Sequence, residues 1–300
     1  AGIEHYLVKP IKRGDLYQKL TDITASKESY RSGPIVVKPQ TQQYNVDYKL
    51  LVAEDDPINQ TMIRKMLANI GYQVEVVPNG QEAYEKIRKG KFDLVLMDIN
   101  MPIMDGYEAT WMIREYEREE NIEEPIPIVA LTAQAFDEDR QRIQDAGMTG
   151  FLSKPVRREQ IVKTIEQVMS KGEQVQLQSA EPVTENTASV SFNYDQALAG
   201  ADGDEELLAE MIELFVESVD DYLDELDVAF EQDDSEALRQ AAHRFKGALA
   251  NFGATRCVEQ ALKIEKLASG AMLEGIGMEI VVLKREVTQL KTSMQQCSLK

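Results

Sequence analysis

LVLMDINMPIMDG, residues 94–106, is the stretch from which the fold is read. Four apolar residues, Leu94 to Met97, run without alternation and stop at Asp98. A strand with no polar face belongs inside a parallel sheet covered by helices on both sides. Working outward, the same pattern recurs. Strands are predicted at Lys49 to Ala53, Gln73 to Val77, Phe92 to Met97, Pro127 to Leu131 and Gly150 to Ser153, each followed by a helical pattern. Five βα units in sequence make an α/β domain with right-handed crossovers, over about residues 48–170.

Such sheets gather ligands at the carboxyl ends of their strands. Those ends carry Glu54, Asp55 and Asp56, then Asp98, then Thr132 and Ala133, then Lys154 and Pro155. Carboxylates about 4 Å apart repel by roughly 4 kcal/mol at an effective dielectric near 20. Protonation of one acid, the ammonium of Lys154 or a hard divalent cation would offset that. Carboxylates from two strands beside one ammonium suit Mg²⁺, which keeps open positions for a phosphoryl oxygen. Taken singly, an Asp that ends a strand is a turn former and a Lys-Pro pair is a surface loop. Met97, Met101, Met104 and Trp111 read as packing residues. The combination is what points to a phosphate site.

Composition narrows the function classes. The 300 residues hold 33 Lys+Arg against 52 Asp+Glu, a net charge of -19, which disfavours nucleic acid and anionic lipid as direct partners. No apolar run reaches the roughly 20 residues of a membrane span, and AGIEHYLVKP at 1–10 is no signal peptide. Cys257 and Cys297 are too few for a disulfide framework, so a reducing cytoplasm fits. His5 and His243 are the two histidines. AGIEHYLVKPIKRGDL at 1–16 repeats in AGMTGFLSKPVRREQI at 146–161, which predicts that residues 1–24 are the C-terminal remnant of a first such domain. Residues 25–47 and 171–190 lack any helix or strand period and read as linkers.

Residues 191–300 are helical in pattern. Fifteen acids and no Lys or Arg fall between Asp204 and Glu236, interleaved with apolar residues at helical spacing, and read as a solvated face. Further helices are predicted at about 235–252, 254–270 and 274–296, giving a four-helix bundle. In SEALRQAAHRFKGALANFGA, residues 235–254, Leu238, Ala241, Ala242, Phe245, Ala248, Leu249 and Phe252 form the apolar stripe. His243 lies off it and is expected to face solvent, with Lys246 and Gly247 on the same face. A glycine inside a helix costs about 1 kcal/mol, so Gly247 implies a flat surface beside the histidine.

LLVAEDDPINQ at 50–60, LVLMDINMPIMDG at 94–106, IVALTA at 128–133 and GFLSKP at 150–155 resemble a response-regulator receiver domain. RQAAHRFKGALANFGA at 239–254 is similar to the histidine phosphotransfer (HPt) domain, with its His-x-x-Lys-Gly and Asn-x-Gly-Ala pattern. The order of truncated receiver, receiver and HPt resembles the C-terminal part of a hybrid sensor histidine kinase. The resemblance implies a flavodoxin-like sheet of order 2-1-3-4-5 and a cis Lys154-Pro155 peptide. It implies Asp98 as phosphoacceptor, with Mg²⁺ held by Asp55, Asp98 and the Asn100 carbonyl, and by Glu54 through water. Lys154 and Thr132 would bind the phosphoryl oxygens and Phe151 would follow Thr132 as a switch. In the HPt domain His243 would be the second phosphoacceptor, Lys246 would offset the added charge and Gly247 would lie on the docking surface. Asp56 departs from the pattern, standing where Asn is common, and either tighter metal binding or slower dephosphorylation would follow.

The function so implied is a phosphorelay. Asp98 accepts a phosphoryl group from an upstream phosphohistidine and exchanges it with His243, which passes it to a downstream response-regulator receiver. The upstream partner is a histidine kinase core elsewhere in the parent protein. This chain shows no ATP lid, so it is a phosphoryl carrier, cytoplasmic, of a parent that an inner-membrane anchor would suit. Residues 171–190 span on the order of 25 Å as coil, enough for Asp98 and His243 to meet within one chain. Two other readings remain open: a non-catalytic receiver/HPt docking scaffold, and a Mg²⁺-dependent aspartyl phosphatase, against which Asn100 stands in place of a second Asp.

Overall fold

The computed structural model describes residues 48–132, 137–171, 192–270 and 275–297. The expected remnant at 1–24, the linker at 25–47 and nearly all of the linker at 171–190 lie outside the described residues. Five parallel strands, β1 (Lys49–Ala53), β2 (Gln73–Val77), β3 (Leu94–Asp98), β4 (Ile128–Thr132) and β5 (Gly150–Ser153), form one sheet in the order β2-β1-β3-β4-β5. Helices α1 (Pro57–Ile70), α2 (Gly80–Lys89), α3 (Gly106–Glu119), α4 (Asp137–Asp145) and α5 (Arg158–Lys171) follow the five strands in turn.

β3 and β4 are buried at every position because alternate residues serve two cores. Leu94 and Leu96 join Leu50, Val52, Val129 and the apolar side of α1; Val95 and Met97 join Leu51, Ala53, Ala130 and Ile113 on the other face. That is why the apolar run in β3 does not alternate. Both central strands begin one or two residues later than expected. Asp93 is held outside the ladder by its carboxylate, which accepts the Lys49 N–H at 2.7 Å. Thr132 is drawn into β4 by its register with Ser153, and its carbonyl accepts the Lys154 N–H at 2.7 Å. The Lys154-Pro155 peptide is cis.

Two local features aim the strand ends. Asp56 caps α1, its Oδ1 accepting the N–H groups of Ile58 and Asn59 at 3.0 and 2.9 Å, while Pro57 opens the helix. Gly106 starts α3 so close to β3 that a Cβ there would stand 2.2 Å from the Asp98 carbonyl oxygen. Only glycine allows that approach.

The C-terminal residues form a short helix α6 (Tyr194–Gly200) and four long ones, α7 (Glu205–Glu231), α8 (Ser235–Ala250), α9 (Thr255–Ser269) and α10 (Ile276–Cys297). Asp204 and Asp234 cap α7 and α8 with side-chain hydrogen bonds to their first turns. Phe215, Phe245 and Phe252 fill the bundle centre, all fully buried. The apolar cluster on the α1 side of the sheet continues without a break into this bundle through Leu208, Ile212 and Phe215 of α7 and Ala248 of α8. Burial at roughly 25 cal/mol per Å² makes that shared core the main attraction between the two modules.

Candidate functional site

At the rim of the sheet the carboxylates of Glu54, Asp55 and Asp98 each place an oxygen within 4.8 Å of the others. β1 and β3 are neighbours, so their ends bring these three together. Lys154 reaches over from beyond β5, its Nζ 2.7 Å from both Glu54 Oε2 and Asp98 Oδ2. Burial pushes the Glu54 carboxyl up to about 8, against the pull of Lys154, and burial with the Asp98 charge pushes Asp55 up to about 7. For Lys154 burial would favour loss of the proton, but Asp98 and Glu54 outweigh it and hold the ammonium above its usual range. One cation thus faces three acids. The donor set, all hard oxygens and short of positive charge, fits a divalent ion such as Mg²⁺.

Thr132 is buried at the end of β4 and lines a second cavity together with Asn100, His243 and Lys246. Phe151 is half-buried on β5 with the Arg140 guanidinium 5.2 Å over its ring. Asn100 turns its N–H toward Asp98 Oδ1 at 3.4 Å, while its side-chain amide extends away from the sheet.

That amide meets the bundle: Asn100 Nδ2 lies 3.2 Å from His243 Nε2. The expectation that His243 faces solvent is therefore corrected. Its side chain is 12% exposed, because the polar face of α8 is covered by the receiver rim on one side and by α9 on the other. His243 Nδ1 is 2.5 Å from Glu265 Oε1, and Lys246 Nζ is 2.6 Å from Glu265 Oε2. Burial opposes ionisation of Glu265, yet its hydrogen bond with His243 and the nearby cations bring it down to about 2. An ionised Glu265 accepts the Nδ1 proton, which leaves the Nε2 lone pair directed at the receiver.

A cavity of about 230 Å³ joins the two halves, lined by Glu54, Asp55, Asp98 and Lys154 on one wall and by His243, Lys246 and Gly247 on the other. Gly247 faces α1 of the receiver at close range; a Cβ there would stand 3.6 Å from Asn59 Nδ2, in ordinary van der Waals contact. Asp56 adds its charge behind the rim, where it helps raise the Asp55 carboxyl. Asp56 is 1% exposed and is consumed by the α1 cap and by the hydroxyl of Tyr222, which donates to its Oδ2.

Sequence reasoning missed Glu265, Tyr222, Asn59 and Asn251. Glu265 sits 22 residues from His243 on another helix, with no motif to mark it. Asn251, the Asn of the HPt pattern, donates to Asn59 Oδ1 at 2.7 Å, and Asn59 in turn donates to Glu54 Oε1 at 2.7 Å, a connection that its motif does not signal.

Residues 50–166 match the family model of the response regulator receiver domain, and residues 210–295 that of the Hpt domain. The sensor protein GacS of Pseudomonas syringae pv. syringae is 32% identical over 211 residues, covering 68% of this chain and 23% of GacS. The signal transduction histidine-protein kinase BarA of Escherichia coli K12 is 24% identical over 290 residues, 95% of this chain and 30% of BarA. Among solved structures, the receiver domain of sensor histidine kinase PA1611 from Pseudomonas aeruginosa PAO1, which holds a magnesium ion in its active-site cleft, is 36% identical. It aligns with 42% of this chain and 100% of its own, at a TM-score of 0.38. The chain spans less than a third of the length of GacS and BarA. No described helix is long and apolar enough to cross a membrane. The chain thus carries a response regulator receiver domain at residues 50–166 followed by an Hpt domain at residues 210–295, and is similar to part of sensor kinases such as GacS.

Proposed function

We propose that this chain relays a phosphoryl group between Asp98 and His243. The observation that carries the reading is the shared cavity, with a carboxylate set and an ammonium on one wall and an oriented imidazole on the other. Asp98 takes the group from an upstream phosphohistidine: a carboxylate oxygen attacks phosphorus, the O–P bond forms and the P–N bond breaks, leaving the imidazole to regain a proton. In the next step the Nε2 lone pair of His243 attacks phosphorus, the N–P bond forms, and the Asp98 carboxylate leaves with the electrons of the broken P–O bond. A downstream receiver then removes the group from His243.

Each residue has a task in that sequence. Lys154 neutralises charge on the transferring oxygens and Thr132 donates its hydroxyl to them. Glu265 holds the His243 tautomer, and after transfer its carboxylate stabilises the cationic ring while Lys246 faces the new negative charge. Asp55, Asp98 and the Asn100 carbonyl would hold Mg²⁺, with Glu54 behind them; the ion would supply further charge neutralisation for the phosphoryl group. Phe151 follows the position of Thr132. Holding donor and acceptor on opposite walls of one cavity replaces a bimolecular encounter with a local step.

The test is labelling with a small phosphodonor and Mg²⁺. A base-labile adduct that disappears in Asp98→Ala, and an acid-labile one that disappears in His243→Ala, are expected. Steady release of phosphate with no label at His243 would replace this reading with a phosphatase.

A further inference from the structure

Asp56 and Tyr222 make a buried contact between the two modules for which the chemistry above has no use. Oδ1 of Asp56 takes the Ile58 and Asn59 N–H groups, and Oδ2 takes the Tyr222 hydroxyl. Every partner donates to Asp56, and a carboxylate accepts from all three at once. An asparagine could keep the cap with its carbonyl, but its NH₂ would make the Tyr222 hydroxyl the acceptor and reverse the bond between the modules. The carboxylate at 56 and the donating hydroxyl of Tyr222 on α7 therefore suit one another.

Tyr222 is 4% exposed and is itself held rigidly. Its ring stacks on Phe245 at 4.9 Å between centroids and 5° between planes, and the Arg244 guanidinium lies 5.5 Å from the centroid of the Tyr222 ring. Arg244 is paired in turn with Glu225. Phe245 and Arg244 are the two residues that follow His243 on α8. Asp56 directly follows Asp55 in the acidic cluster. A short, fully packed path thus links the carboxylate wall of the cavity to the histidine wall, with the Tyr222 to Asp56 hydrogen bond as its one joint between modules.

We propose that Tyr222 is a positioning residue which, through Asp56, sets the alignment of His243 with Asp98 for phosphoryl transfer inside this chain. This rests on the relay reading. A hydrogen bond buried within a largely apolar contact fixes register in a way that apolar packing, which slides at little cost, does not. The contacts of Asn251 with Asn59, of Asn100 with His243 and of Arg158 with Asp202 remain when this one is lost, so its loss loosens alignment without dissolving the shared core.

The experiment uses the whole chain. Asp98 is loaded from acetyl phosphate with Mg²⁺ and single-turnover movement of label to His243 is followed. Tyr222→Phe is expected to slow that movement at least 10-fold while Asp98 loads as before and thermal unfolding stays cooperative. Direct labelling of His243 by phosphoramidate should be unchanged in Tyr222→Phe, since the imidazole and Glu265 are untouched; a general structural defect would lower it too. Asp56→Asn is expected to slow transfer as well, and Tyr222→Phe should then add little. Transfer in Tyr222→Phe within twofold of the parent, or two fully independent effects, would overturn the proposal. If Tyr222→Phe does not fold, Asp56→Asn alone decides by the same rates. Should the parent chain move no label to His243 at all, the relay reading itself has failed, a result separate from a parent that transfers and a variant that matches it.

Discussion

Asn251, at the C-cap of α8, donates a hydrogen bond of 2.7 Å to Asn59 on α1, and Asn59 passes the connection to Glu54 with a second bond of 2.7 Å. The phosphotransfer bundle is thereby wired to the back of the acidic cluster. Both amides are buried, at 3% and 5% exposure, so neither can exchange its partner for water without the interface opening. Asn251→Ala strands the Asn59 carbonyl and is expected to cost about 1–3 kcal/mol in urea unfolding. A loss well below that would mean that the interface is already open in solution.

Lys154 is the only cation in ion-pair contact with Glu54 and Asp98 among the described residues. Its removal in Lys154→Ala leaves the buried carboxylates of Glu54 and Asp98 without a cation. The expected loss is about 3–5 kcal/mol without added metal, as when one half of a buried pair is deleted. Saturating Mg²⁺ should restore part of it, since a ligand at 100 times its Kd adds about 2.7 kcal/mol. Denaturation curves with and without Mg²⁺ check both statements; equal curves would remove the cluster from consideration as a metal site.

Glu265 sets an acid limit on the bundle. Its carboxyl falls from a usual value near 4.5 to about 2 in the folded chain. A depressed carboxyl contributes stability that is complete above its unfolded value and is lost as pH falls through the folded one. The window is therefore about pH 4.5 down to 2, and the parent should lose stability faster there than Glu265→Gln. The same residue controls the imidazole tautomer. Glu265→Ala is expected to slow His243 labelling about 10-fold or more, with partial recovery in Glu265→Gln, which keeps an acceptor for Nδ1–H. Unchanged labelling in Glu265→Ala would show that the tautomer needs no such support.

Gly106 tests how tightly the Asp98 end of β3 is held. A methyl group would stand 2.2 Å from the Asp98 carbonyl oxygen, a distance that one of the two backbones must yield. Gly106→Ala is expected to cost about 1–3 kcal/mol and to slow loading of Asp98 from acetyl phosphate, as the end of β3 shifts. Loss of stability without slower loading would place the adjustment in α3 instead.

The receiver fold and its rim were legible because each depends on short-range order. An apolar run that ends in Asp98, repeated five times with helices between, admits one kind of sheet. The strand ends then bring Glu54, Asp55, Asp98 and Lys154 to one edge by topology alone. The helical stripe through Phe245 likewise put His243, Lys246 and Gly247 on a common face. Boundaries at β3 and β4 moved by a residue or two, since the carboxylate of Asp93 and the pairing of Thr132 are tertiary matters.

The amino-acid order on its own determined the two modules, their chemistry-bearing residues and the reason those residues cluster. Tertiary structure alone decided that the polar face of α8 is turned to the receiver and not to water. It also decided that Asp56 serves Tyr222, that Asn251 serves Asn59, and that Glu265 governs the histidine. The partners in these pairs are separated by 166, 192 and 22 positions along the chain. No periodicity spans such gaps: the first two pairings exist because a shared apolar core presses one module against the other, and the third because α9 packs on α8 within the bundle.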